Sequence, residues 1–155
     1  MIDLTSAYIQ KAHRLSLYEV DASVGDVHAG QMFQLNSSGK WIVSVGTAKA
    51  YPTLNNRYSG AGIGTQGERL EGRDDVSLTK KLSCLKGNFE IATDMYDITK
   101  TYVNGQPLHP STVTGQEGRL APYDVAVTAQ KEYFICGFVT SAPAVAGTDL
   151  LRWEG

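Results

Sequence analysis

The sequence predicts an all-β fold, a small antiparallel barrel or sandwich built of hairpins. Three observations carry that expectation. Short apolar runs with a period of two recur along the 155 residues, glycine turns (16 glycines in all) separate them, and helical periodicity is close to absent. The third is a phrase that occurs twice, Gly30-Gln31-Met32-Phe33 with Gly39-Lys40-Trp41 and Gly105-Gln106-Pro107-Leu108 with Gly118-Arg119-Leu120. Each copy reads as a glycine turn, a short strand, a second glycine turn and a returning strand. Two origins stay open, an internal duplication or ordinary turn chemistry met twice.

Taken in order, residues 1–13 read as a polar N-terminal arm, whose only helical stretch, residues 6–14, is too short to be stable alone. Leu15, Leu17 and residues 18–20 suggest a first strand. Residues 31–35 and 41–45 flank Asn36-Ser37-Ser38-Gly39, a turn rich in the residue types that make one. A second hairpin is expected where Val76, Leu78, Lys80 and Leu82 meet Phe89, Ile91, Thr93 and Met95 across Lys86-Gly87-Asn88. Asn104-Gly105 is a strong turn dipeptide between Tyr102-Val103 and Leu108, and residues 133–140 read as a buried strand. Residues 59–75 hold five glycines and a dense charged run, and read as a projecting loop of a single β domain spanning residues 14–155.

At this length one domain can bury roughly 70% of its extended surface, so its core needs no metal or disulfide staple. A net charge of -2 with 19% charged residues gives neither a basic footprint for nucleic acid nor an acidic tail. No apolar stretch approaches membrane-spanning length, and residues 1–6 lack the pattern of a signal peptide, so a soluble protein made in the cytoplasm is expected. Cys84 and Cys136 lie far apart among apolar neighbours and are expected to be buried, reduced thiols.

Chemistry is sparse. Gly62-Ile63-Gly64-Thr65-Gln66-Gly67 spells a dinucleotide fingerprint, but Asn55-Asn56-Arg57-Tyr58-Ser59 before it is no buried strand and no helix follows. His13, His28 and His109 have no metal-ligand spacing, Asp74-Asp75 reads as part of a solvated loop, and no nucleophile elbow is present. Catalytic, cofactor-binding and metal-binding residues are therefore not expected. Eight tyrosines, with Trp41 and Trp153, suit protein interfaces as well as sheet packing.

Asp94-Met95-Tyr96-Asp97, Thr99-Lys100-Thr101-Tyr102, Gly105-Gln106-Pro107-Leu108, residues 115–120, Cys136-Gly137-Phe138-Val139-Thr140 with Pro143, and Asp149-Leu150-Leu151-Arg152-Trp153 together resemble the C-terminal half of tailed-phage head decoration, or capsid cement, proteins. Val24-Gly25-Asp26-Val27, Ala29-Gly30 and Gly46-Thr47-Ala48 are similar to the barrel element of the same proteins. The resemblance implies a β-tulip-like barrel that binds the outside of an icosahedral virion, bridges major capsid protein subunits and associates with itself, with a trimer slightly favoured over a dimer. The arm (Tyr8, Ile9, Arg14) and the loop (Ile63, Arg69, Arg73) are then the expected contact regions, without nucleic acid, membrane or cofactor. A phage tail, baseplate or receptor-binding module and a small β-barrel enzyme or ligand binder are the alternatives.

Overall fold

In a computed structural model, which describes residues 8–9, 13–15, 18–54 and 82–155, strands dominate and the only helix among these residues is one 3-10 turn, Glu132–Phe134. The chain is all-β and antiparallel. Its strands are β1 (Tyr8–Ile9), β2 (His13–Leu15), β3 (Met32–Leu35), β4 (Trp41–Val43), β5 (Ala50–Pro52), β6 (Cys84–Lys86), β7 (Phe89–Thr93), β8 (Pro107–Pro110), β9 (Leu120–Pro122), β10 (Gly137–Ser141) and β11 (Leu151–Glu154).

Both copies of the repeated phrase form hairpins. β3 pairs with β4 (Phe33 opposite Val43, Leu35 opposite Trp41), and β8 pairs with β9 (Leu108 opposite Pro122, Pro110 opposite Leu120). The four glycines that frame them, Gly30, Gly39, Gly105 and Gly118, all have positive φ, at 89°, 71°, 80° and 74°. This is backbone that side chains with a Cβ rarely adopt, which is why glycine recurs there.

The likeness runs well beyond the phrase. Gln31 N–H donates to His28 O (2.9 Å) while its side-chain Oε1 accepts from His28 N–H (3.2 Å), and Gln106 does the same to Val103 (3.1 Å each). Gly30 N–H donates to Thr53 O and Thr53 N–H to Gln31 O; Gly105 and Gln106 make the same pair of bonds with Val139. Ahead of each turn stands an aspartate whose Oδ1 accepts from a backbone N–H and a hydroxyl two residues on, Asp21 with Ser23 and Asp97 with Thr99. Each aspartate also donates its own N–H to the first residue of the returning strand, Trp41 or Leu120, where Val20 and Tyr96 form equivalent parallel bridges. Two structural repeats of five strands follow, β2 to β6 and β7 to β11.

The outer strands complete the match. Leu15 of β2 faces Cys84 of β6, as Ile91 of β7 faces Trp153 of β11, and Thr53 bridges Cys84 as Val139 pairs with Trp153. The second repeat is a continuous sheet ordered β9-β8-β10-β11-β7, with β1 added outside β7. In the first repeat the same order is split into a three-stranded sheet β4-β3-β5 and the pair β6-β2, because β5 and β6 meet only at the bridge from Thr53. Both sheet orders are linear, so the expected barrel does not close through strand pairing among the described residues.

Two cores result. Val20, Val24, Val27, Phe33, Trp41, Leu82 and Cys84 fill the first repeat. The larger core gathers the second repeat (Tyr96, Tyr102, Leu108, Leu120, Val139, Trp153) and adds Met32, Ala50, Leu85 and Phe89 from the first repeat and its junction with the second. The alternation along β3 explains the split, since Met32 and Phe33 point to opposite faces and both faces are covered.

Three further expectations are corrected. Residues 84–86 and 89–93 do not form a hairpin about Gly87: β6 pairs with β2 and β7 with β1 and β11, so one kinked strand passes from the first repeat into the second. The partners foreseen at Val76, Leu78 and Lys80 lie outside the described residues. Part of the short helical stretch is extended instead, at Tyr8–Ile9 and His13–Leu15, because neighbouring strand edges supply hydrogen-bond partners that an isolated helical turn lacks. The buried strand expected at 133–140 begins only at Gly137, with Tyr133 70% exposed on the 3-10 turn.

Candidate interaction surface

The repeats touch through a hairpin loop. Gly118, at the end of the β8–β9 loop, donates its N–H to Ser44 O (2.8 Å) and accepts at its carbonyl from Met32 N–H (2.8 Å). A Cβ on Gly118 would lie 2.7 Å from Gln31 Cγ and 2.8 Å from Val43 Cγ1, so only glycine seats here without displacement. Nearby, Gly46 packs against Thr112 and the carbonyls of Pro110 and Ser111. The first repeat thus presents a notch, made of Gln31, Met32, Val43 and Ser44, that the second repeat's loop fills.

The corresponding notch of the second repeat is a groove of about 330 Å³ whose lining includes Lys100, Thr101, Gln106, Pro122, Tyr123 and Val127. Gln106, Pro107, Pro122 and Tyr123 hold the places of Gln31, Met32, Val43 and Ser44 in the strand register. No residue of the first repeat lines it. A larger depression, about 580 Å³, lies along the junction of the repeats between Lys49, Phe89, Glu90, Cys136, Phe138 and Gly155.

Among the described residues, most large exposed apolar side chains belong to the second repeat: Val125 (85%), Tyr133 (70%), Val103 (61%), Val145 (58%) and Ile98 (50%) are there, against Tyr18 and Val45 in the first. The two most exposed, Val125 and Tyr133, fall on the connection between β9 and β10, which is much longer than its counterpart between β4 and β5. His109 holds that connection down. Its ring is fully buried, Nδ1 donates to Pro110 O (2.6 Å) and Nε2 accepts from Lys131 N–H (3.1 Å), with Tyr123 stacked at 6.1 Å. Burial lowers its pKa, so the imidazole is neutral and structural. Gln34 occupies the equivalent position and pins residues 44–47 through Ser44, Val45 and Thr47.

Of the expected contact residues, Tyr8 and Ile9 lie on β1 opposite Glu90 and Phe89, and Arg14 lies on β2 opposite Leu85. The arm is therefore tied to the domain at two places along one kinked strand. Ile63, Arg69 and Arg73 lie outside the described residues, as do the 62–67 glycine fingerprint, Asp74-Asp75 and the whole of the 59–75 loop. Cys84 and Cys136 are unpaired thiols, buried and half-buried; burial raises both, Cys136 to about 12. Among the described residues no group of three or more His, Cys, Asp or Glu is placed to hold a metal ion, and no helix is long and apolar enough to cross a membrane. The groove itself was not foreseen; its signal was the second copy of the Gly-Gln phrase, whose partner notch in the first repeat is already filled.

Comparison with protein-family models, with curated proteins and with solved structures returns no match.

Proposed function

We propose that this protein is a structural virion component that binds the outer surface of an icosahedral phage capsid and stabilises it by bridging major capsid protein subunits. The observation that carries this reading is the repeat. The turn-and-strand pattern that resembles decoration proteins over residues 94–153 has a bond-for-bond counterpart in the first half, so a single framework accounts for both stretches of resemblance. We read the two repeats, stitched by Gly118, as a barrel-like wall whose surface, rather than any reactive group, is the product of the fold.

Shell reinforcement requires many weak, equivalent contacts acting together. The apolar side chains on the second repeat, with Val125 and Tyr133 foremost, supply contact area of the kind that interfaces bury. Co-sedimentation of the purified protein with expanded, undecorated phage capsids tests the reading. Saturable binding at a fixed ratio to the shell subunit is the expected result. Absence of binding would overturn it and turn attention to a tail, baseplate or receptor-binding module.

A further inference from the structure

We infer that copies of this chain associate head to tail, the β3–β4 hairpin tip of one copy (Asn36, Ser37, Ser38, Gly39) seating in the β8–β9 groove of the next. The inference stands on the repeat and needs no capsid. Inside one chain, the β8–β9 loop of the second repeat already docks on the notch of the first through Gly118. The relation is one-way: loop of the second repeat, notch of the first. Each chain is left with one hairpin tip and one groove that the described residues do not use on each other.

The unused tip has the required shape. Gly39 is the counterpart of Gly118 in the register, with nearly the same φ (71° against 74°), and a Cβ on it would meet nothing within 4 Å. Ser37 and Ser38 beside it are exposed. Asn36 braces the tip from within, its Oδ1 accepting from Ser38 N–H (3.0 Å) and Lys40 N–H (2.9 Å), so the loop is ordered before it meets a partner. The groove offers Gln106 and Pro122 where Gln31 and Val43 receive Gly118.

Two departures set the strength of the contact. Neither backbone bond of the Gly118 contact is repeated, since Pro107 replaces Met32 and has no N–H and the Gly39 N–H already donates to Asn36 O (3.0 Å), and the β3–β4 tip is shorter than the β8–β9 loop. The contact between chains is therefore weaker than the one within a chain, and assembly depends on concentration. A contact of this kind builds open chains, or a ring that closes at the number of copies its rotation sets, two included.

Sedimentation velocity of the purified chain over a range of micromolar concentrations is the test. The expected result is a species of two or more chains that dissociates on dilution. Ser38→Arg blocks the tip and Val127→Arg the groove; both side chains are exposed, and unchanged melting curves show that the variants fold. Each variant alone is expected to sediment as a single chain. Mixed, they retain one intact tip and one intact groove between them and are expected to form a species of two chains. A wild type that stays a single chain at all concentrations, a variant that keeps the wild-type mass, or a mixture without the two-chain species would each overturn the inference. Capsid binding is read separately, so failure of one result leaves the other standing.

Discussion

The two repeats share the hydrogen bonds of their turns and central hairpins around different side chains. At five equivalent buried positions the first repeat has Val20, Val27, Phe33, Trp41 and Cys84, and the second has Tyr96, Tyr102, Leu108, Leu120 and Trp153. Small residues in one stand for large ones in the other, in both directions. Close packing constrains how a region is filled rather than the residue at each point, so Trp41 dominates the first core while Trp153 and two tyrosines dominate the second. What is held constant is the backbone grammar, where a positive-φ glycine, a capping aspartate and a glutamine that closes its own turn admit few substitutes.

The sharpest way to break the second repeat alone is at Gly137. A Cβ there would run into the backbone of Glu154, which cannot yield, because β10 and β11 lie against each other; the equivalent residue in the first repeat is Tyr51, where β5 has moved away from β6. Gly137→Ala is expected to cost more than about 4 kcal/mol, read by urea denaturation, and to leave little folded protein at room temperature. Gly118→Ala comes next. It combines left-handed backbone strain with overpacking against Gln31 and Val43, together about 2–4 kcal/mol, whereas Gly39→Ala bears the backbone strain alone at about 1 kcal/mol. Equal losses from the two alanines would show that the notch is not filled as described.

The mildest test exchanges the two pinning residues. His109 is buried neutral with a lowered pKa, so the unfolded chain takes up its proton first as pH falls. Its contribution is complete above about pH 6.5 and is lost as pH falls below that value. His109→Gln installs the first repeat's solution, and the melting temperature is expected to lose part of its decline between neutral pH and the carboxylate range. An unchanged pH profile would assign that decline to other groups.

Much of the architecture was legible because turn chemistry is local. Asn36-Ser37-Ser38-Gly39 and the paired Gly-Gln phrases announced both central hairpins, since glycine at positive φ and a self-bonding turn need only their own neighbours. The remaining strands of each repeat were hidden by unequal connections: the stretch from Ser111 to Gly118 outgrows its counterpart from Asn36 to Gly39, and the one from Pro122 to Gly137 outgrows that from Val43 to Ala50. Such insertions cost little in closure entropy, so a fold accepts them while sequence register is lost. The false hairpin at Gly87 had a different cause. Period two reports which residues share a face, and is silent on which strand lies alongside. The groove was illegible for a related reason, because a notch belongs to two strands and is recognised only when its filled twin is seen beside it.

The kinked strand from Cys84 to Thr93 closes the first repeat and opens the second without a linker between them. A protein with two copies of one motif would ordinarily offer a place to cut it in half. Here a protease or a designer working at Gly87 would leave the first fragment with a frayed last strand and the second with a frayed first one, and would divide a core to which Met32 and Trp153 both belong. The duplication is thus written into the geometry but withdrawn from the mechanics. With one core shared between them, the two repeats are expected to unfold together rather than one after the other.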